Sequence, residues 1–365
     1  RRRTLHRAGL IGTVMVDDGD RQETAALTTP GALDLQGLLG RMRDNGCQGV
    51  VMEVSSIGLE QERTRAVAFD VAVFTNLTQD HLDYHRTMAR YFDAKRLPFE
   101  QLVDRPGGKS PTAVINHDDH YGEIIVRDFR EKLKVTTYGF GVNCDFKAGR
   151  VTQSNQGTEF QLMAAGRAFL VRTPLIGRFN VYNALAALAA AAALRVPLRE
   201  AVAALAEAPQ VPGRLEFIGS ARGLSVFVDY AHTPDALDNV CRTLRELEPE
   251  RLVTVFGCGG DRDREKRPRM GRAASVHSDH CVVTSDNPRS EDPEVIVAEI
   301  ERGMKGSYET IVDRSEAIRH AILAGRNGDL VLVAGKGHEK YQEVRGERKP
   351  FDDLKELKAA LLKDI

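Results

Sequence analysis

The 365-residue chain lacks any apolar run approaching the ~20 residues that a membrane-spanning helix requires, and nothing in it reads as a secretory signal. It also lacks an excess of either charge. The formal net charge is -1, so no global field draws the protein to nucleic acid or to an anionic membrane. Its five cysteines, Cys47, Cys144, Cys241, Cys258 and Cys281, are scattered without a C-x-x-C pair. That argues against a disulfide framework or a zinc site and for reduced thiols in a cytoplasmic protein. Cys47 and Cys281 lie beside apolar runs and read as small core residues. There is no internal repeat and no low-complexity linker. The phosphate-loop pattern G-x-x-x-x-G-K-[ST] is missing throughout, and Gly335-Lys336-Gly337-His338-Glu339 imitates it without the spacing.

What is present is alternation, in two regimes that meet near residue 215. In the first, Gly49-Val50-Val51-Met52-Glu53-Val54 and Val71-Ala72-Val73-Phe74 read as buried strands, and Leu33 to Asp44 reads as a helix stopped by Asn45-Gly46. Such alternation implies a parallel sheet with helices on its faces. Residues 135–173 turn polar and hairpin-like, which suggests a small β insertion, and the alanine-rich stretch 181–194 must be a helix. After Pro212-Gly213-Arg214 come four more strands, at 226–230, 252–257, 280–284 and 330–335, separated by helical segments 234–248, 268–277, 293–304 and 314–324. The expectation is an α/β protein of two doubly wound sheet domains, residues 1–215 and 216–365. Arg1-Arg2-Arg3 leads into what reads as the last turns of a helix, so the chain is expected to be a fragment of a longer one.

Chemistry concentrates where strands end. Phe74 is followed by Thr75-Asn76-Leu77-Thr78-Gln79 and then Asp80-His81-Leu82-Asp83-Tyr84-His85, with Lys95 on the next helix. Ligands bind outside the carboxyl ends of such strands, and a solvated charged loop is the competing reading. Glu53, at the end of its own run, suits a hard cation such as Mg²⁺ or alternatively caps the following helix. His81, at a neighbouring strand end, would face the same crevice. The glycines of Gly257-Cys258-Gly259-Gly260 let backbone approach a ligand closely, and Arg262 and Arg264 behind them suit an anion. Asp286-Asn287-Pro288-Arg289 places an arginine on a strand-end turn, fit for a bidentate carboxylate pair.

These segments, together with Thr28-Thr29-Pro30, Met52-Glu53-Val54-Ser55-Ser56, Ala94-Lys95, Gly177-Arg178-Phe179-Asn180-Val181-Tyr182-Asn183, Pro212-Gly213-Arg214 and Asp229-Tyr230-Ala231-His232-Thr233-Pro234, resemble the Mur ligases in order along essentially the whole chain. The likeness is to those members that add the third peptide residue of peptidoglycan. The resemblance implies a monomeric cytoplasmic enzyme with small-molecule substrates: ATP, UDP-N-acetylmuramoyl-L-alanyl-D-glutamate and meso-diaminopimelate. A phosphoryl group would activate the substrate carboxylate, and the amine would attack the resulting acyl phosphate. By similarity Glu53, His81 and Lys95 hold Mg²⁺, with Lys95 carbamylated to N6-carboxylysine. Thr28, Thr29, Ser55, Gln61 and Arg63 match positions for the UDP-muramoyl dipeptide. Asn180, Arg214 and Asp229 match nucleotide positions, while Arg262, Asp286, Asn287, Arg289, Gly335 and Glu339 match those for diaminopimelate.

Two departures stand out. Ile57 occupies a position where the family usually has histidine, and the family's phosphate loop and uridine-binding domain should precede Arg1. A chain without that loop is expected to be inactive by itself. The alternatives are an inactive ligase-derived binding module, or a related Mur or folylpolyglutamate-type ligase with another acceptor.

Overall fold

Short apolar runs bounded by glycine and polar residues form strands, and alanine- and leucine-rich stretches between them form helices, in a computed structural model that describes residues 7–78, 80–104 and 111–362. The helix end expected over residues 1–6 and the position of Gln79 lie outside those residues. The chain divides into two compact units, one made of Arg1–Val151, Glu159–Thr173 and Phe179–Ala208, the other of Thr152–Thr158, Pro174–Arg178 and Pro209–Ile365.

The first unit holds two sheets rather than the single one that alternation implies. Strands β1 (Ala8–Ile11), β2 (Met15–Asp17), β3 (Gln22–Thr24) and β4 (Gly49–Met52) assemble in the order β3-β2-β1-β4, with β1 and β4 parallel. Helix α1 (Ala32–Asp44) carries Leu35, Leu38 and Met42 at three- and four-residue spacing, which puts them on one face against Ile11. It stops at Asn45-Gly46, where Gly46 takes φ +78°. After α2 (Ser56–Glu60) comes the second sheet: β5 (Val71–Phe74), α3 (Leu82–His85), α4 (Met88–Val103), β6 (Thr112–Asn116), α5 (His120–Phe129) and β7 (Lys134–Gly139). β5, β6 and β7 are parallel. The hairpin-like stretch supplies β8 (Phe146–Ser154), β9 (Gly157–Ala164) and β10 (Arg167–Thr173), which extend this same sheet in the order β10-β9-β8-β7-β6-β5. Helices α6 (Arg178–Ala193) and α7 (Leu198–Ala206) complete the unit.

β4 and β5, which the sequence presents as buried strands in one sheet, are edge strands of two sheets. Val51 is accordingly 61% exposed and Val73 42%. α4 covers the other side of β5: Thr87 caps its first turn by accepting from the Arg90 amide, and Phe92, Phe99 and Leu102 pack with Phe74 and Ile115.

The second unit has one six-stranded sheet. Its elements are β11 (Glu216–Ala221), β12 (Leu224–Asp229), α8 (Pro234–Arg245), β13 (Arg251–Phe256), α9 (Lys266–His277), β14 (His280–Val283), α10 (Pro293–Glu301), β15 (Tyr308–Thr310), α11 (Arg314–Leu323) and β16 (Asp329–Ala334). The hairpin β17 (Tyr341–Val344) and β18 (Glu347–Pro350) and helix α12 (Asp353–Leu362) follow. The order is β11-β12-β16-β13-β14-β15, and only β11 runs antiparallel to its neighbour. Proline at the first helical position of α8 and α10, behind Thr233 and Asp292 as side-chain caps, fixes where the loops end. The four helical segments expected after residue 215 are all present. Parallel pairing brings the carboxyl ends of β12, β16, β13 and β14 to one edge, and with them the loops after Asp229, Ala334, Phe256 and Val283. Arg314 braces that edge from below. Fully buried, it pairs with Asp353 through Nε (2.8 Å) and Nη2 (2.7 Å), and Nη2 also donates to the Ala334 carbonyl.

Candidate active site

In the first unit Thr28, Thr29, Ser55, Gln61 and Arg63 form one connected cluster. Thr29, fully buried, donates through Oγ1 to the Glu53 carbonyl (3.2 Å) and accepts from the Ser55 amide (2.9 Å). Ser55 then caps α2 by accepting from the Gly58 amide. Arg63 donates to the Thr29 carbonyl (2.7 Å) and grips Gln61 Oε1 through Nε and Nη2. Thr28 shares a hydrogen bond with Thr13, whose hydroxyl donates to Glu53 Oε2 (2.5 Å). Thr13, in the loop after β1, was not legible as a site residue. Its only signal is the position one residue beyond a strand-ending glycine.

His81 and Lys95 meet elsewhere, around Tyr91. The His81 ring lies edge-on to it at 6.0 Å, and Lys95 Nζ sits 5.8 Å over its face. Asp80 lies 3.7 Å from His81 Nε2. His81 takes a left-handed conformation (φ +52°) that leaves its imidazole half exposed. Burial pushes Lys95 below its usual value, opposed by the charge of Asp80. Glu53 makes no recorded contact with this pair, and among the described residues no three His, Cys, Asp or Glu side chains are grouped for a metal. His85, which the sequence displays beside His81, is instead structural: its buried ring stacks on Tyr91 and Nε2 bonds Ser56 Oγ at 2.8 Å. An ammonium at Lys95 would repel a cation, so Lys95 could serve a metal only as an anion. A lysine disposed to lose its proton is the kind that can add CO₂.

In the second unit the glycine loop and the Asp286–Arg289 turn lock together. Arg289 (φ +53°) donates from Nη1 to the Gly260 carbonyl at 2.8 Å, and a Cβ on Gly260 would meet the Pro288 carbonyl oxygen at 1.9 Å, so glycine is needed there. Its amide donates to the Glu343 carbonyl. Arg262 is exposed and donates to the Asp261 carbonyl. Asn287 donates through Nδ2 to Glu339 Oε2 at 2.9 Å. A Cβ on Gly335 (φ +118°) would lie 2.6 Å from Asp286 Oδ2, so these two residues are also in contact. Asp229 is consumed by backbone: its oxygens accept from the Leu215 and Ala231 amides at 2.6 and 2.7 Å. Burial pushes its carboxyl up, while those two amides pull it down. Arg214 stacks over the Tyr230 ring at 5.2 Å. Asn180, in the first unit, is buried near the start of α6 and accepts from Asn183 Nδ2. Burial pushes the Cys241, Cys258 and Cys281 thiols up to about 12, which favours the protonated form of each.

The pattern of the Mur ligase middle domain matches residues 2–191, and that of the Mur ligase glutamate ligase domain matches residues 213–337. The chain belongs to the Mur ligase family. Among its relatives, a UDP-N-acetylmuramoyl-L-alanyl-D-glutamate--2,6-diaminopimelate ligase of Geobacillus kaustophilus is 45% identical over 364 residues, 99% of this chain and 74% of the relative. The same-named protein of Bacillus cereus is 43% identical over 98% of this chain and 72% of its own length. A solved structure of a ligase with that name superposes with TM-score 0.73 at 37% identity, covering 98% of this chain and 73% of the other.

The glycine loop is held by ion pairs that report on pH. Fully enclosed Arg267 binds Glu291 (2.7 Å) and Glu299 (2.7 Å), and Glu291 also accepts from the Asp261 amide, tying the glycine loop to the turn after Arg289. The hydrogen bond from Arg267 lowers Glu291 from 4.5 to about 2. A depressed carboxylate stabilises the fold above its unfolded value, so this contribution is present above pH 4.5 and is lost as pH falls toward 2. The thermal midpoint should decline across that window, and Glu291→Gln should flatten the decline. An equally steep decline in the variant would assign it to other carboxylates.

Proposed function

We propose that the protein acts as a UDP-N-acetylmuramoyl-tripeptide synthetase in peptidoglycan synthesis. It joins the terminal carboxylate of UDP-N-acetylmuramoyl-L-alanyl-D-glutamate to an amino group of meso-diaminopimelate, driven by ATP. The observation that carries the reading is the second unit's pairing of a cation with an anion. Arg289, pinned to the Gly260 carbonyl, presents a guanidinium, and Asn287, two residues earlier, binds Glu339. A diamino diacid offers a distal carboxylate for the first and an ammonium for the second, whereas lysine offers only the ammonium. Asp286 and the Gly335 carbonyl would border the ammonium, and Arg262 would assist Arg289.

The connected set Thr28, Thr29, Ser55, Gln61 and Arg63 would hold the UDP-muramoyl dipeptide. Asn180, Arg214 and Asp229 are assigned to ATP, with Asp229 acting through the Leu215 segment that it orders. Glu53, His81 and carbamylated Lys95 would hold Mg²⁺, which when bound neutralises charge on the phosphoryl groups. We read residues 1–215 as the central ATP-binding domain and 216–365 as the amino-acid-binding domain, in a cytoplasmic monomer. No helix among the described residues is long and apolar enough to cross a membrane.

ADP release by the full-length protein tests the reading. It should require both the UDP-dipeptide and diaminopimelate, and L-lysine at equal concentration should not substitute. Equal rates with the two amino acids would overturn the substrate assignment.

A further inference from the structure

Lys336 is a charged group in the second unit to which the proposed reaction gives no role. Its side chain is 0% exposed. A buried ammonium is tolerated only where its protons are accepted, and its acceptors are two residues of the amino-acid site: Asn287 Oδ1 at 3.0 Å and Glu339 Oε2 at 3.1 Å. The face of Tyr341 lies 5.5 Å away. An amide side chain can sit in two flips. Here Lys336 and the Glu343 amide both donate to Asn287 Oδ1, which turns Nδ2 toward Glu339 Oε2. Glu339 Oε2 therefore receives two protein donors, while no described group donates to Oε1.

We propose that Lys336 is the positioning residue of the amino-acid site, fixing the Asn287 flip and holding Glu339 so that Oε1 is the oxygen left for the substrate ammonium. The proposal rests on the assignment of Asn287 and Glu339 to diaminopimelate. It differs from a purely structural role because its effect must pass through Glu339.

A double-mutant cycle in the full-length protein tests it, with Lys336→Met, Glu339→Gln and the pair, each measured for KM of diaminopimelate, of ATP and of the UDP-dipeptide. Lys336→Met should raise KM for diaminopimelate about tenfold or more, because a buried acceptor loses its donor and its orientation. The other two KM values should stay within about twofold. The pair leaves no partly buried carboxylate without its cation, which removes that cause of misfolding from the single variant. It should have the KM for diaminopimelate of Glu339→Gln alone, since the Glu343 amide still holds the Asn287 flip and Lys336 would have no carboxylate left to position. Additive effects, or parallel rises in all three KM values, would overturn the proposal. If Glu339→Gln itself leaves KM for diaminopimelate unchanged, the assignment of the site fails. If only Lys336→Met is silent, the assignment stands and the positioning role falls.

Discussion

Replacing Arg289 with alanine should raise KM for diaminopimelate by about two orders of magnitude, the cost of stripping a charged partner from a desolvated carboxylate. The KM for ATP should stay near its original value. The backbone reasons favour a clean experiment. The left-handed conformation of Arg289 burdens alanine no more than arginine, and its amide and carbonyl bonds to Glu343 and Arg345 do not involve the side chain. What disappears is a guanidinium aimed by the Gly260 carbonyl and paired with Glu343 at 3.7 Å. Arg289→Lys keeps the charge but loses the planar fork, so it should recover only part of the loss. Preference for diaminopimelate over lysine should shrink in both. Steady-state kinetics with each amino acid decides the matter: an alanine variant that still uses the diacid normally would remove Arg289 from the site.

Much of this second unit could be read from the chain alone. Four of its five parallel strands are continuous apolar runs, as sheets covered on both faces require, and the fifth, the short polar β15, gave no such signal. The glycines after Phe256 and the Asn-Pro turn mark the strand ends directly. The first unit was less legible because strand pairing is not local. Nothing within Gly49–Met52 or Val71–Phe74 states that one strand pairs with β1 and the other with β6. Exposure of Val51 and Val73 follows from those partners, not from the residues themselves.

The same limit applies to side chains. The dense run Asp80 to His85 advertises chemistry, yet its two histidines have opposite fates. His85 is enclosed against Tyr91 and Ser56, while His81, expected at a strand end, stands half exposed at the N-cap of α3, seven residues beyond β5. Tyr91, one helix turn before Lys95, organises both and carried no signal beyond being an aromatic on an apolar face. Lys336 was visible only as part of a false phosphate-loop pattern. Its acceptor Asn287 lies 49 residues away in sequence, and that separation is what hides its burial. Thr13 is hidden from Glu53 in the same way, by 40 residues.

Lys95 is the residue whose loss should cost most. Burial lowers its amine, and the charge of Asp80 only partly opposes this. A group shifted this way is deprotonated over more of the neutral range than an exposed lysine. The neutral amine can attack CO₂: a nitrogen–carbon bond forms, the nitrogen gives up a proton, and an anionic carbamate with two hard oxygens results. Such oxygens suit Mg²⁺ as the parent ammonium does not. Lys95→Ala should therefore lower kcat for ADP release by about 10³-fold or more, the scale of losing a preorganised electrostatic partner. KM for diaminopimelate should change little. The pH sense follows from the same equilibrium. Lowering pH protonates the amine and reverses the addition, so activity should fall on the acid side and recover partly with added bicarbonate. With ¹³C-bicarbonate the wild type should show a carbamate resonance that Lys95→Ala lacks. A wild type without that resonance, together with a Lys95→Met variant that still releases ADP at full rate, would dismiss the carbamate and leave Lys95 as a packing residue beside Tyr91.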